Sequence, residues 1–228
     1  MRSGQPKPGG SRPPARQRRR RASLLSGHPV IETIVTVIVA LAVAFGIRTF
    51  IVAPYRIPSQ SMETTLKVGQ HVLASKITTR FSNPSLGDIV VFHPPVSATQ
   101  VDSPETACAD AAGGEGKPKP CDQVAAERSG VTFIKRIVGL PGDTIAIRDG
   151  LVIRNGTPVK LPGSGIACGD ADVCTFARPI VIPKGAYFMM GDNRRDSYDS
   201  RYWGPVPKSW IIGGAFFTYW PISRVGPL

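Results

Sequence analysis

Apolar residues follow two regimes along the chain. From Val30 to Phe45 nearly every position is Val, Ile, Ala or Leu, with Glu32 the lone charge, and the block runs on to Ala53 with Arg48 as its interruption. At 24 residues it exceeds the roughly 20 that a helix needs to cross the hydrocarbon core, and an arginine near its end can snorkel to the head groups. A helix lying on a soluble core would show a one-sided stripe instead. Beyond residue 53 the pattern changes to short apolar runs broken by Pro, Gly, Asn and Asp. Pro58 biases Ile57 away from helix, so Tyr55 to Pro58 is expected to be extended. Gln70–Ile77, Asp88–Phe92, Val131–Leu140, Ile180–Ile182, Tyr187–Met190 and Trp210–Tyr219 read as strands. Thr144–Arg148 and Leu151–Arg154 flank Asp149-Gly150, a strong two-residue hairpin signal.

Two stretches interrupt this alternation. Residues 96–130 are low in apolar bulk and include Ala-Gly-Gly-Glu-Gly-Lys-Pro-Lys-Pro, so they read as a surface insertion. Residues 155–178 read as an irregular excursion, which with the hairpin occupies about 143–180. No segment after residue 53 sustains a 3.6-residue period. The expectation is a tail over 1–29, a membrane span over 30–53 and one predominantly β domain over 54–228, large enough to bury a core.

Charge fixes the setting. The 228 residues carry 28 Lys+Arg against 16 Asp+Glu, a net +12, which points to nucleic acid or to a membrane surface. Eight of the basic residues lie in the first 29 positions, which hold no acid. The rest shows no basic helix, zinc-finger spacing or aromatic-basic RNA motif, so nucleic acid is excluded as a partner. The tail, rich in Pro, Gly, Ser and Arg, is expected to be disordered. Ala42-Val43-Ala44 offers a small-x-small cleavage pattern, but apolar character continues to Val52, which favours an uncleaved anchor. Basic residues flanking a span stay cytoplasmic. The chain is therefore expected to cross the cell membrane once, with its N-terminus inside and residues 54–228 outside the cytoplasm.

The cysteines agree with an exported domain. Cys108, Cys121, Cys168 and Cys174 are even in number and all lie after the span. Of three possible connectivities, local pairing of Cys108 with Cys121 and Cys168 with Cys174 is the simplest. The spacings are not Cys-x-x-Cys and no histidine stands near, so no zinc site is expected.

Candidate chemistry gathers in three segments. Ile57-Pro-Ser-Gln-Ser-Met-Glu-Thr-Thr-Leu66 follows the span and holds Ser59 and Ser61. Thr132-Phe-Ile-Lys-Arg-Ile-Val-Gly-Leu-Pro-Gly-Asp143 places Lys135 in an apolar run, where lysine is rare. Gly191-Asp-Asn-Arg-Arg-Asp-Ser-Tyr-Asp-Ser-Arg-Tyr-Trp-Gly-Pro-Val-Pro207 is a dense polar turn. A serine hydroxyl needs a base, and His28, His71 and His93 have no recognisable triad context. Lysine can serve only when neutral, yet at a reference pKa near 10.4 only about one in 2,500 is neutral at pH 7. Burial among Phe133, Ile134, Ile137 and Val138 would lower that pKa, and a drop of roughly three corresponds to about 4 kcal/mol. Strand alternation aims Arg136 at the face opposite Lys135. Asp192, Asn193 and Arg194 read as turn-formers.

These three segments, with Gly87-Asp-Ile-Val-Val-Phe92 between the first two, resemble the ordered sequence boxes of bacterial type I signal peptidases of peptidase family S26, membrane-anchored serine endopeptidases with a Ser/Lys dyad. The resemblance covers the anchor and about 120 of the 175 residues after it. It implies a mainly β fold: a signal-peptidase-like β-rich catalytic domain after one N-terminal transmembrane helix. It implies Ser61 as nucleophile and Lys135 as general base, with Ser59 and the backbone N–H of Ser61 forming the oxyanion hole. Ser197 matches the serine that orients the lysine, and Asp199 and Arg201 match a supporting pair. Tyr55, Ile57, Met62, Phe133 and Ile134 match or neighbour the shallow substrate pockets. The substrates implied are exported preproteins with signal peptides, cut after small residues at the first and third positions before the bond, at a lipid bilayer. A monomer without cofactor or metal is expected. The chain departs from the family in Thr64, where proline is usual, and in Arg195-Asp196, where Asp-Asn is usual. A self-cleaving Ser/Lys repressor-type protease shares the dyad but lacks the span.

Overall fold

The structure, a computed structural model, describes residues 29–99, 121–164, 168, 174–176 and 178–228. The tail expected to be disordered and the centre of the 96–130 insertion, including Cys108, lie outside the described residues. The chain divides into two compact units, Met1–Val43 and Ala44–Leu228.

Helix α1 (Pro29–Phe50) opens with proline at its first position, carries Glu32 in its first turn and Arg48 in its last. This order suits the helix ends, where Pro needs no N–H partner and the dipole favours an acid first and a base last. Its 22 residues are long and apolar enough to cross a membrane. The helix stops three residues short of the expected Ala53. Pro54 cannot donate to a helix and disfavours helix at Ala53, and Val52 and Ala53 instead pair with Ser75 and Ala74.

The remainder is mainly β. In chain order it comprises β1 (Val52–Arg56), β2 (His71–Ser75), α2 (Lys76–Phe81), β3 (Ile89–Phe92), β4 (Phe133–Gly139), β5 (Thr144–Arg148), β6 (Leu151–Arg154), β7 (Thr157–Pro158), β8 (Ile180–Val181), β9 (Ala186–Met190), α3 (Ser200–Trp203), β10 (Val206–Pro207), β11 (Ile211–Trp220) and β12 (Gly226–Pro227). One sheet has the order β1-β2-β11-β3-β4-β9-β10, with β12 on β11, and a smaller sheet has the order β7-β6-β5-β8. Every pairing is antiparallel. Asp149 and Gly150 take φ of 47° and 73°, the double positive φ of the turn that joins two twisted strands with two residues.

The strand expected over Gln70–Ile77 ends at Ser75. Its side chain accepts a hydrogen bond from the Thr78 N–H and caps α2, so Lys76 and Ile77 become helical. The insertion closes on itself at its base, where Val96 N–H donates to Glu127 O and Pro95 bridges Arg128. Cys168 and Cys174 are bonded as expected, their Cα atoms 5.6 Å apart.

Strands β3 and β9 are buried at every position, the pattern of central strands covered on both faces. Around them lie three apolar clusters. One joins Ile145, Ile147 and Val152 of the small sheet to Phe188 and Met190. A second centres on Trp203 with Phe92, Ile137 and Tyr187. The third packs Ile57, Met62 and Leu66 against Val72, Val91 and Ile134; it anchors the serine segment to β4.

Candidate active site

Ser61 sits in a single 3₁₀ turn, Gln60–Met62, entered through Ser59 in extended conformation. Met62 and Leu66 pin the turn from below: both are fully buried, and Leu66 N–H donates to Met62 O at 2.8 Å. From the other side Asn193 N–H donates to Ser61 O at 3.1 Å, and Asn193 Nδ2 to Gln60 O at 3.3 Å. Gly191 allows that approach, because a Cβ there would run into Ser61 O and Ser197 Oγ. Ser59 Oγ lies 3.2 Å from Ser61 Oγ.

Lys135 comes from the middle of β4, opposite Val90 of β3. Its Nζ is 2.5 Å from Ser61 Oγ, and its side chain is only 4% exposed, with the Phe133 ring 5.9 Å from Nζ. Burial lowers its pKa from 10.5 to about 8; the charge of Asp199 pulls upward, Arg201 downward and Asp192 upward, all more weakly. At that value about one molecule in ten holds a neutral amine at pH 7. A neutral amine against a hydroxyl is the arrangement that can take a proton from an attacking oxygen.

The third segment backs this pair. Asp199 is fully buried and caps α3. It accepts from Ser197 Oγ at 2.7 Å, Gly191 N–H at 3.0 Å and Arg201 Nε at 2.8 Å. Burial alone would raise its pKa, but Arg201, Ser197 and Lys135 hold the carboxyl below its ordinary range. Arg201 spends its remaining donors on Arg194 O, Ser197 O and the Cys168 sulfur. The hydroxyl of Ser197 thus donates to Asp199, and no hydrogen bond joins it to Lys135 among the described residues.

A cleft of about 380 Å³ opens over Ser61 and Lys135, lined by Tyr55, Ile57, Phe133 and Ile134 among the expected pocket residues. Met62 does not reach it; the side chain is 1% exposed and lies under the serine turn. Thr132, Asp196 and Tyr198 line the cleft without having been expected. Asn193 forms a turn as expected, with Asp196 N–H donating to Asn193 O. Asp192 and Arg194 do more than form a turn. Asp192 is fully buried against Arg136, and Arg194, equally buried, donates to the carbonyls of Gly191, Gly150 and Pro162. Arg136 beside Lys135 in an apolar run carried a signal for such a pair, since a buried arginine requires an acid. His71 and His93 lie off the cleft, the first tilted against the Tyr219 ring with centroids 5.5 Å apart and the second bonded to Val131 O.

The family model described as signal peptidase, peptidase S26, matches residues 30–220 and so runs through all four segments. A signal peptidase I of Leptolyngbya laminosa is 34% identical over 200 residues, covering 88% of this chain and 84% of that protein. A signal peptidase IB of Staphylococcus aureus is 30% identical over 208 residues, covering 86% of this chain and 92% of that protein.

Proposed function

The chain belongs to the signal peptidase family, peptidase S26, and from that premise we propose that Ser61 is its nucleophile and Lys135 its general base. The protein is a serine endopeptidase that removes signal peptides from exported precursors. Ser61 Oγ attacks the scissile carbonyl carbon while its proton passes to Lys135 Nζ. The oxyanion that develops is held by the Ser59 hydroxyl and the Ser61 N–H, donors that count most in the transition state. Collapse expels the amine of the mature chain, which takes the proton from the Lys135 ammonium. Lys135, neutral again, deprotonates a water that attacks the Ser61 ester. The Lys135 ammonium then returns that proton to the departing Ser61 Oγ, and the signal peptide leaves with a new carboxylate.

Ser197, Asp199 and Arg201 form the supporting network, acting on Lys135 through the Asp199 carboxylate. Tyr55, Ile57, Phe133 and Ile134 give the cleft an apolar lining suited to small residues at the first and third positions before the bond. The enzyme is held by α1 in the cell membrane with its basic tail in the cytoplasm and its β domain outside, where exported precursors emerge. The observation that carries the mechanism is the 2.5 Å approach of a buried amine to a serine hydroxyl.

The test is cleavage of an exported precursor by the purified protein in detergent. Ser61→Ala should cleave at least about 1,000-fold more slowly than wild type, and equal turnover would reject the assignment. Ser59→Ala should lower kcat by about 100-fold with little change in KM; an unchanged kcat would make Ser59 a turn residue only.

A further inference from the structure

The cleft carries three charged side chains, Arg56, Lys135 and Asp196, of which Asp196 is the lone acid among the described lining residues. It is exposed and belongs to none of the ion pairs among the described residues. Its position is nonetheless fixed. Its backbone N–H donates to Asn193 O at 3.2 Å, and its Oδ2 accepts from Asn193 Nδ2 at 3.1 Å. The same Asn193 grips Ser61 O and Gln60 O, so one side chain ties the carboxylate to the nucleophile's own turn. Neighbouring Tyr198, edge-on to Trp203 with ring centroids 5.0 Å apart, continues the rim.

We propose that Asp196 is a specificity-determining residue, favouring a cationic and disfavouring an anionic side chain at one substrate position flanking the scissile bond. This rests on the peptidase reading of the same cleft. A peptide lying across Ser61 between the apolar lining and the Asp196–Tyr198 rim passes a carboxylate that has no ion-pair partner among the described residues and whose place is set relative to the attacking oxygen. An ammonium there gains attraction and a carboxylate meets repulsion. Each is of the size of a partly exposed pair, so the two together give a preference of roughly tenfold. The preference should weaken as salt rises, because the pair faces water.

The experiment uses the full-length protein in detergent and matched peptides in which Lys, Gln or Glu is placed in turn at each of the three residues on either side of the bond. At one position wild type should show a Lys-to-Glu ratio in kcat/KM of about 10 at low salt. Asp196→Asn keeps the acceptor oxygen for Asn193 and should bring that ratio close to unity; Asp196→Glu should retain it and Asp196→Lys invert it. The proposal is overturned if wild type shows no position with charge preference, or if the ratio survives in Asp196→Asn. Loss of all cleavage in Asp196→Asn would also overturn it, placing the carboxylate in the catalytic step itself. Cleavage that persists in Ser61→Ala is a different failure and removes the peptidase reading instead.

Discussion

Arg136 holds Asp192 through two parallel bonds, Nε to Oδ1 at 2.8 Å and Nη2 to Oδ2 at 2.7 Å, both side chains buried. Thr65 Oγ1 adds a bond to Asp192 Oδ2 at 2.5 Å, and Arg136 Nη1 reaches Gly87 O at 2.6 Å. The residue before Arg136 on the same strand is Lys135. Strand β4 therefore presents an amine to the cleft and, one position on, fastens the loop that carries Gly191 and Asn193 against the serine turn.

Removing one partner of that pair should be costly. Asp192→Ala or Arg136→Met each leaves a buried polar or charged group unmatched and should lower stability by about 3–5 kcal/mol, read as thermal or urea unfolding in detergent. The double variant should lose less than the sum of the two, since neither charge is then left alone. Additive losses would show that the two side chains do not act as a pair.

The rate should follow the titration of Lys135. With a pKa near 8, kcat/KM should rise with pH through about 8, because the ammonium that dominates below cannot accept the serine proton. Lys135→Arg should be inactive across the range, since guanidinium stays charged; wild-type activity in that variant would end the Ser/Lys mechanism. Stability carries the matching sign. The folded pKa lies below the ordinary value of 10.5, so the unfolded chain binds more protons between the two. Relative to Lys135→Met, wild type should gain about 3 kcal/mol as pH rises from about 8 to 10.5, and nothing below.

Asp199 supplies a second test of the same titration. Its charge raises the Lys135 pKa against the larger effect of burial. In Asp199→Asn the acidic limb of the residual activity should therefore move to lower pH than in wild type, even as the rate falls. A limb that stays in place would separate Asp199 from the amine. The variant should also lose about 3 kcal/mol or more at neutral pH, because Arg201 is left buried without its counter-charge.

Orientation follows from the basic tail. A tag at residue 5 should resist protease added to intact cells, and a tag at residue 228 should be digested, because eight basic residues and no acid precede the span. The reverse pattern would overturn the export topology.

Much of the architecture was legible in the sequence because it depends on local pattern. The apolar block, the short runs between turn residues and Asp149-Gly150 specify α1, the strands and the β5–β6 hairpin through length, period and backbone preference. Lys135 was legible as a candidate because lysine is out of place in an apolar run, whereas Ser61 stood out only through the resemblance of its segment to the family's first box. Where local reading failed, a neighbour had changed the outcome. The strand expected through Ile77 turned helical at Ser75, whose side chain caps α2, and the last apolar residues of the span were drawn into pairing with β2.

The site itself needed the fold. Ser61 and Lys135 are 74 positions apart, and the lowering of the lysine pKa comes from the packing of distant segments around it, which no local window contains. The same holds for Asp192, read from its polar segment as a turn-former yet buried against Arg136, and for Met62, which neighbours Ser61 in sequence yet is buried beneath its turn. Sequence determined which groups were available for the chemistry. Tertiary structure decided which of them lost water and which partner each then met, because desolvation and charge pairing depend on distance in space and not along the chain.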